Sequence, residues 1–330
     1  MGRCRNGILG KTNRRKWITM PLPKPRTNES ESAFIDRCLN NAEVQNEFPE
    51  VNQRIAVCNS LYRPQNKSLN YDFDAFANGL QRKRDIEERN WTRKFTRFYL
   101  AEYEKGIQQF LESNSINERG LFSFAKFEDL MTEMYIGMGW EFASFYMRNF
   151  TRYQTKAVST NPNQLRGIWE QQILQYAKVY SASKIVLIQG TALDKLKRIT
   201  RAFLSDPEFM SLGIREKAAI LNNKFKQISR WQAKRIVRTE TTTISNYAID
   251  QSATAMFAKD QLQKRWVTSV DGFERDAHRL VNGDVKPYNQ PFIVGGEPMM
   301  KAGEPTASAA NRVNCRCVVV MVPHPDEFGQ

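Results

Sequence analysis

The sequence lacks the long apolar runs of membrane proteins. No window approaches the roughly 18 to 20 consecutive apolar residues of a membrane span, and the basic N-terminus has no apolar stretch of the signal-peptide kind. We therefore expect neither membrane insertion nor secretion.

Cysteine and histidine are scarce, with five and two among 330 residues. An odd number of widely spaced cysteines is poor material for a disulfide framework, so a reducing compartment is the simpler expectation. We expect Cys38 and Cys58 to be small buried residues that face each other across a helical hairpin without forming a redox pair. Cys315 and Cys317 would share one strand face, where a metal would need two further ligands. The sequence predicts no metal and no cofactor.

Acidic residues are missing from positions 1–26, although the whole chain has 35 of them against 49 Lys and Arg and a formal charge of +14. This arm holds eight basic residues, so we expect it to be largely unfolded in isolation and to neutralise phosphates or dock a partner, with a solubilising terminus as the alternative. A second basic run, Lys217 to Thr239, has seven basic residues and no acid, with a solvated helix face as its alternative. The predicted nucleic-acid-binding residues are Arg3, Arg5, Lys11, Arg14, Arg15, Lys16, Lys24, Arg26, Lys224, Lys226, Arg230 and Lys234.

Residues 73–258 have helical periodicity almost throughout. Two aromatic-rich stripes, Phe95 to Leu111 and Leu130 to Tyr146, are expected to form core, because a base-stacking platform would be exposed and interleaved with Arg or Lys. A break is predicted at Ser205 to Pro207.

Glu240 falls on the apolar stripe of one of these helices, three residues after Val237 and four before Ile244. A carboxylate in that position must be paired or hydrogen-bonded, or it will be neutralised. A catalytic acid is one explanation, but we expect a structural ion pair with a basic or amide donor.

After residue 258 the pattern changes to short strands and turns. Residues 264–269 and 292–296 are typical of strands, and residues 311–322 predict a strand that is central because both of its faces are apolar. Residues 271–274 are expected to cap a helix that carries Arg275 and His278 on one face.

These patterns predict a mainly α protein with a C-terminal α+β module, in which an elongated helical domain is followed by a small mixed sheet. The predicted divisions are a flexible basic arm (1–27), a helical hairpin and linker (28–72), a helical domain (73–258) and the C-terminal module (259–330).

The C-terminal half resembles the phage Mu-F-like head morphogenesis family of minor capsid proteins. The residues that carry the resemblance are the segment Ala-Lys-Arg-Ile-Val-Arg-Thr-Glu-Thr-Thr from Ala233, the segment Trp266 to Gly272, Arg275, His278, Gly283, Pro305, and Asn314-Cys315-Arg316-Cys317. The resemblance covers about residues 165–330. Arg238, Glu240, Arg275, His278, Asn314, Cys315, Arg316 and Cys317 are its structural signature.

The resemblance implies a tailed-phage virion protein, present in few copies, that associates with the portal and the packaged double-stranded DNA and supports head assembly or genome delivery. Two alternatives stay open: an enzyme in which His278 and the two cysteines form a Cys-His site with Arg275 as an anion clamp, and a stand-alone nucleic-acid-binding protein. We expect no catalytic residues, because burial of the cysteines would raise the pKa of their thiols.

Overall fold

The computed structural model describes residues 23–24, 26, 29–61, 72–151, 162–269 and 274–323. The chain divides into two compact units, residues 1–65 and 66–330. Of the predicted basic arm, Lys24 and Arg26 are described and exposed. The other predicted nucleic-acid-binding residues of the arm, Arg3, Arg5, Lys11, Arg14, Arg15 and Lys16, lie outside the described residues.

The described part of the first unit contains three short helices, α1 (Glu31–Leu39), α2 (Ala42–Glu47) and α3 (Val51–Leu61), around Phe34 and Val44. A disulfide joins Cys38 of α1 to Cys58 of α3, with 5.7 Å between their Cα atoms. The expectations of a two-helix hairpin and of an unlinked cysteine pair are therefore wrong. Packing of α1 on α3 places the two Cα atoms within the range that a disulfide spans.

The second unit begins with four long helices and one short helix. They are α4 (Phe73–Ser113), α5 (Phe124–Phe150), α6 (Pro162–Leu204), α7 (Pro207–Ser211) and α8 (Ile214–Met256). The side chains at the N-caps of α4, α5 and α7 accept hydrogen bonds from free backbone N–H groups, as Asp72 does from Ala75 at 2.7 Å. The predicted break between residues 204 and 207 is confirmed, since α6 ends at Leu204 and Asp206 caps α7.

The two predicted aromatic stripes form the core between these helices. Their central members are buried, and the expectation of core residues is confirmed for Phe95, Tyr99, Tyr103, Ile107, Phe110, Met131, Met134, Tyr135, Met138, Phe142 and Tyr146. Gly139 allows α5 and α6 to approach closely, because a Cβ at this position would overlap the side chain of Ile173.

The C-terminal part adds β1 (Leu262–Val267), α9 (Asp276–Leu280), β2 (Val285–Pro287), β3 (Phe292–Val294), β4 (Glu297–Met299), α10 (Ala309–Arg312) and β5 (Val318–Pro323). One sheet has the order β2-β1-β5, and β3 pairs with β4. The predicted fold class is confirmed, but every strand pair among the described residues is antiparallel, so the sheet is not mixed. Strands β3 and β4 are joined by Gly295 and Gly296 alone, and so short a connection allows only antiparallel pairing.

Strand β5 lies at an edge of its sheet, and the prediction of a central strand is wrong. Its residues are buried because helices cover it, and side chains of those helices satisfy its backbone. Asn246 Oδ1 accepts a hydrogen bond from the Val319 N–H at 2.8 Å, and the Tyr146 hydroxyl donates to the Met321 carbonyl at 2.7 Å. These bonds cover an edge that would otherwise be open to further strand pairing.

The unit of residues 66–330 contains both the predicted helical domain and the predicted C-terminal module, and independent folding of either part stays a prediction. None of the helices in the described ranges is long and apolar enough to cross a membrane.

Candidate functional site

His278 of α9 lies against Cys315 and Cys317, which come just before β5, and we call these three residues the Cys-His cluster. His278 Nδ1 lies 3.2 Å from Cys317 Sγ and 3.6 Å from Cys315 Sγ. The exposed fractions of the three residues are 1%, 2% and 4% for His278, Cys315 and Cys317. The structure thus brings together residues that sequence reasoning considered as one site.

The local geometry differs from the predicted one. Cys315 and Cys317 lie in a loop that follows Asn314, whose φ of 58° is left-handed, and the Cys317 N–H donates to Cys315 Sγ at 3.4 Å. This turn, rather than a shared strand face, brings the sulfurs together. Helix α9 begins at Asp276, so Arg275 is at its N-cap and donates to the Val313 carbonyl instead of sharing a face with His278.

Residues 271–273 of the predicted capping segment lie outside the described residues. Of that segment only Glu274 is described, and it precedes the Arg275 N-cap of α9.

Arg84 of α4 is a buried partner of the cluster that sequence reasoning missed. It is fully buried, and its guanidinium donates to Ser245 Oγ at 2.8 Å, to the Arg316 carbonyl at 2.9 Å and to the Cys317 carbonyl at 3.2 Å. Burial lowers the pKa of Arg84 to about 10, while negative charge on Cys315 opposes that change. The sequence contains a sign of this burial, because Arg84 lies four residues after Leu80 and seven before Trp91, on the same apolar stripe of the helix.

A run of buried polar residues in α8, from Thr239 to Asn246, holds the segment that contains the cysteines. Thr239 Oγ1 accepts from the Asn314 N–H at 3.0 Å, and the Thr242 hydroxyl donates to the Cys315 carbonyl. The Asn246 amide donates to the Cys317 carbonyl at 3.1 Å. Helix α8 therefore fixes the backbone of Asn314 to Cys317 through side chains alone.

The two cysteines differ in acidity. Hydrogen bonds from the Cys317 thiol and from His278 hold the pKa of Cys315 well below its usual value, against the opposing effect of burial. The pKa of Cys317 is raised well above its usual value, because its thiol donates to Cys315 and is buried. The expectation that burial raises the pKa of both thiols is thus wrong for Cys315.

Cysteine sulfur and histidine nitrogen atoms are ligands for soft metal ions. The three ligand atoms lie within 4.8 Å of one another, and no other His, Cys, Asp or Glu in the described part of the chain joins them. Structural zinc sites use four protein ligands, so the cluster supplies one ligand fewer than such a site requires. The expectation of no metal stays a prediction.

Glu240 is 3% exposed, and its predicted burial beside a basic group is confirmed. Lys184 Nζ lies 3.1 Å from its carboxylate, and the Tyr135 hydroxyl donates to the same oxygen. Burial and the carboxylate together raise the pKa of Tyr135 well above its usual value.

The two remaining signature arginines bind acids of α4. Arg238 Nε lies 3.3 Å from Glu88, and Arg316 pairs with Asp85. The predicted signature residues therefore connect α4, α8 and the C-terminal loop. Their structural role stays a prediction.

The predicted basic residues of α8 form an exposed surface, the α8 basic face, made of Lys224, Lys226, Arg230 and Lys234. Lys226, Arg230 and Lys234 follow one another at four-residue intervals and span about 12 Å along the helix. Side chains at this spacing lie side by side, so they present three neighbouring positive charges to solvent.

Comparison with known proteins finds a match to one family model. No curated protein and no solved structure matches the chain. Residues 187–320 match the model of the family described as "Phage Mu protein F like protein". This range includes the whole of α8, the Cys-His cluster and the first half of β5. The resemblance to the Mu-F-like head morphogenesis family is therefore confirmed, and residues 187–320 are the Mu F-like part of this chain.

Proposed function

We propose that the chain is a minor capsid protein for head morphogenesis of a tailed phage, located in the virion near the portal and in the host cytoplasm during assembly. It docks at the portal region, contacts packaged double-stranded DNA without sequence specificity, and supports head assembly or genome delivery. The match of residues 187–320 to the Mu F-like family carries this proposal. Portal docking follows from that resemblance alone.

The α8 basic face supports the DNA contact. Its lysines and arginine are exposed, and the whole chain carries a formal charge of +14. Lys and Arg that neutralise phosphates release condensed counterions, which favours binding to any duplex sequence. Such a contact suits a protein that meets packaged DNA of every sequence.

The Cys-His cluster supports a role without catalysis. Its three side chains are almost completely buried, and the surrounding contacts hold the loop in place. A nucleophilic site must let its substrate reach the thiolate. We therefore assign the cluster to the stability of the C-terminal part.

Portal docking is tested by sedimentation of the full chain with purified portal rings. We expect the chain to sediment with the rings at physiological salt and to remain in the supernatant without them. Failure to bind the rings, with DNA binding retained, would leave a stand-alone nucleic-acid-binding protein.

DNA contact is tested by fluorescence anisotropy on a labelled duplex at several salt concentrations. Replacing Lys226, Arg230 and Lys234 with Gln should reduce the slope of log affinity against log salt by about 2.7, because each lost phosphate contact removes about 0.9. The matched control replaces Arg82, Arg89 and Arg97, three exposed arginines of α4, and should leave the slope nearly unchanged. Equal effects of the two triple variants would show general charge attraction rather than a defined contact.

A further inference from the structure

A groove lined by α6, α8 and the loop after α10 contains an exposed tryptophan. Trp231 is 54% exposed, whereas Trp91, Trp169 and Trp266 are buried. Leu187 of α6, also in the groove, is 72% exposed. The cavity has a volume of about 300 Å³, at the lower end of the range for small-ligand pockets. Its size suits one nucleotide unit, and it is too small for a duplex.

Positive charge surrounds this tryptophan. Lys195 Nζ lies 4.5 Å and Arg235 Cζ 5.4 Å from the centre of the Trp231 ring, and both residues line the groove. Lys184 and Arg312 also line it. Glu240 is the one acidic residue among the lining residues, and it already binds Lys184 and Tyr135. Lys195, Arg235 and Arg312 thus leave the groove strongly positive.

Burial and neighbouring positive charges both disfavour the charged form of Lys195. The pKa of Lys195 is lowered, first by burial of its ammonium and then by the nearby charges of Arg235 and Arg198. A bound anion would relieve this repulsion. The groove therefore combines an apolar aromatic surface with positive charge that a bound anion would neutralise.

We propose that this groove binds one unpaired nucleotide of a DNA strand, with the base against Trp231 and Leu187 and the phosphate on Lys195, Arg235 and Arg312. An exposed aromatic ring interleaved with Lys and Arg is the arrangement that single-strand-binding proteins use. Basic residues continue beyond the groove, with Arg198 and Arg201 on α6, and a strand longer than one nucleotide would follow them. The inference deepens the proposed DNA contact and rests on it, but it concerns unpaired DNA and different residues.

An acidic protein segment is the competing occupant, since it also offers negative charge and apolar side chains. The aromatic ring beside two cations favours the base, because every base presents a π face that stacks on tryptophan. An acidic protein segment would bind through its charges and apolar side chains and would not require an aromatic ring at this position.

The test measures anisotropy of a fluorescein-labelled oligo-dT of roughly 12 nucleotides with the full chain. Trp231→Ala should weaken oligo-dT binding by about tenfold or more, while duplex affinity stays unchanged. Trp231→Phe should restore most of the affinity, because phenylalanine keeps a stacking plane. Phe124→Ala, at another partly exposed aromatic residue, is the control and should have no effect.

A second pair of variants tests the phosphate contact. Arg235→Gln should weaken oligo-dT binding more than Arg89→Gln, which removes the same charge from an exposed position of α4 outside the groove lining. Circular dichroism of each variant confirms that the helices are intact. Equal effects of Arg235→Gln and Arg89→Gln would overturn the assignment of the phosphate site.

The remaining outcomes distinguish failure of this inference from failure of the proposed DNA contact. Unchanged oligo-dT affinity in Trp231→Ala overturns the inference, and so does displacement of oligo-dT by polyglutamate at equal charge concentration, which indicates an acidic protein partner. Binding of duplex without binding of oligo-dT leaves the proposed DNA contact in place and removes this inference alone. Absence of binding to either DNA removes both.

Discussion

The guanidinium of Arg84 donates a hydrogen bond to the backbone carbonyl of Cys317 at 3.2 Å, across a sequence separation of 233 residues. The same side chain also binds the Arg316 carbonyl and Ser245 Oγ, so one buried cation connects α4, α8 and the loop before β5. A buried charge is tolerated only where several acceptors replace its water. Arg84 is therefore a structural centre of the Mu F-like part, although it lies outside residues 187–320.

Replacing Arg84 with Met should lower the free energy of unfolding by on the order of 3 kcal/mol, because buried acceptors lose a charged donor. Urea unfolding followed by circular dichroism measures the change. Arg82→Met is the control, since Arg82 lies on the same helix and is exposed. A loss no larger than that of the control would contradict the role given to Arg84.

The sequence predicted local features well. The stripe from Phe95 to Phe110, the break before Pro207 and the burial of Glu240 depend on spacing within one segment, and the structure confirms them. The family signature could also be predicted, because its residues stand in a characteristic order.

Features that depend on distant segments could not be predicted in this way. The position of β5 at an edge depends on its cover by α4 and α8, and the Cys38–Cys58 bond depends on how α1 packs on α3. The groove at Trp231 requires α6, α8 and the last loop to meet. Helical periodicity within one segment does not indicate which distant segments pack against it.

Glu240 provides the second prediction. Glu240→Ala should lower the free energy of unfolding by about 3 to 5 kcal/mol, because Lys184 would lose its buried partner and Tyr135 its acceptor. The measurement is urea unfolding at pH 7. Asp129→Ala, at an exposed acid of α5, should cost far less. A cost for Glu240→Ala as small as that of this control would show that the buried pair does not stabilise the fold.

Cys315 makes stability depend on pH. Its pKa is lowered in the folded protein, so the stability it contributes is full above the unfolded thiol pKa of about 8.5 and is lost as pH falls through the folded pKa. The difference in unfolding free energy between the wild type and Cys315→Ala should therefore shrink as pH is lowered from 8.5 to 6.

The measurement is urea unfolding with a reductant at several pH values in this window. Val320→Ala is the control, because it removes buried apolar volume without a titrating group, and its difference from the wild type should stay constant. A Cys315→Ala difference that is equally constant would mean that Cys315 is an ordinary thiol.

Metal content is the fourth prediction. We expect less than one zinc per chain by elemental analysis and no shift of Tm on adding a chelator, because the cluster offers three ligands and a structural zinc site needs four. Replacing Cys315 and Cys317 with Ser should lower Tm in both the presence and the absence of chelator. One zinc per chain, lost in His278→Ala, would instead establish a metal site.

The last prediction concerns the disulfide of the first unit. It closes a loop between positions 20 residues apart, and a bond of this kind stabilises the folded state by about 3 kcal/mol, chiefly by restricting the unfolded chain. Reduction should therefore increase hydrogen exchange in α1 and α3, which hold the two cysteines, and leave exchange in α4 unchanged. Combined replacement of Cys38 and Cys58 with Ser should give the same pattern without reductant, because it removes the same link. Peptide mass mapping of the unreduced protein is the direct check, and separate Cys38 and Cys58 peptides would contradict the bond.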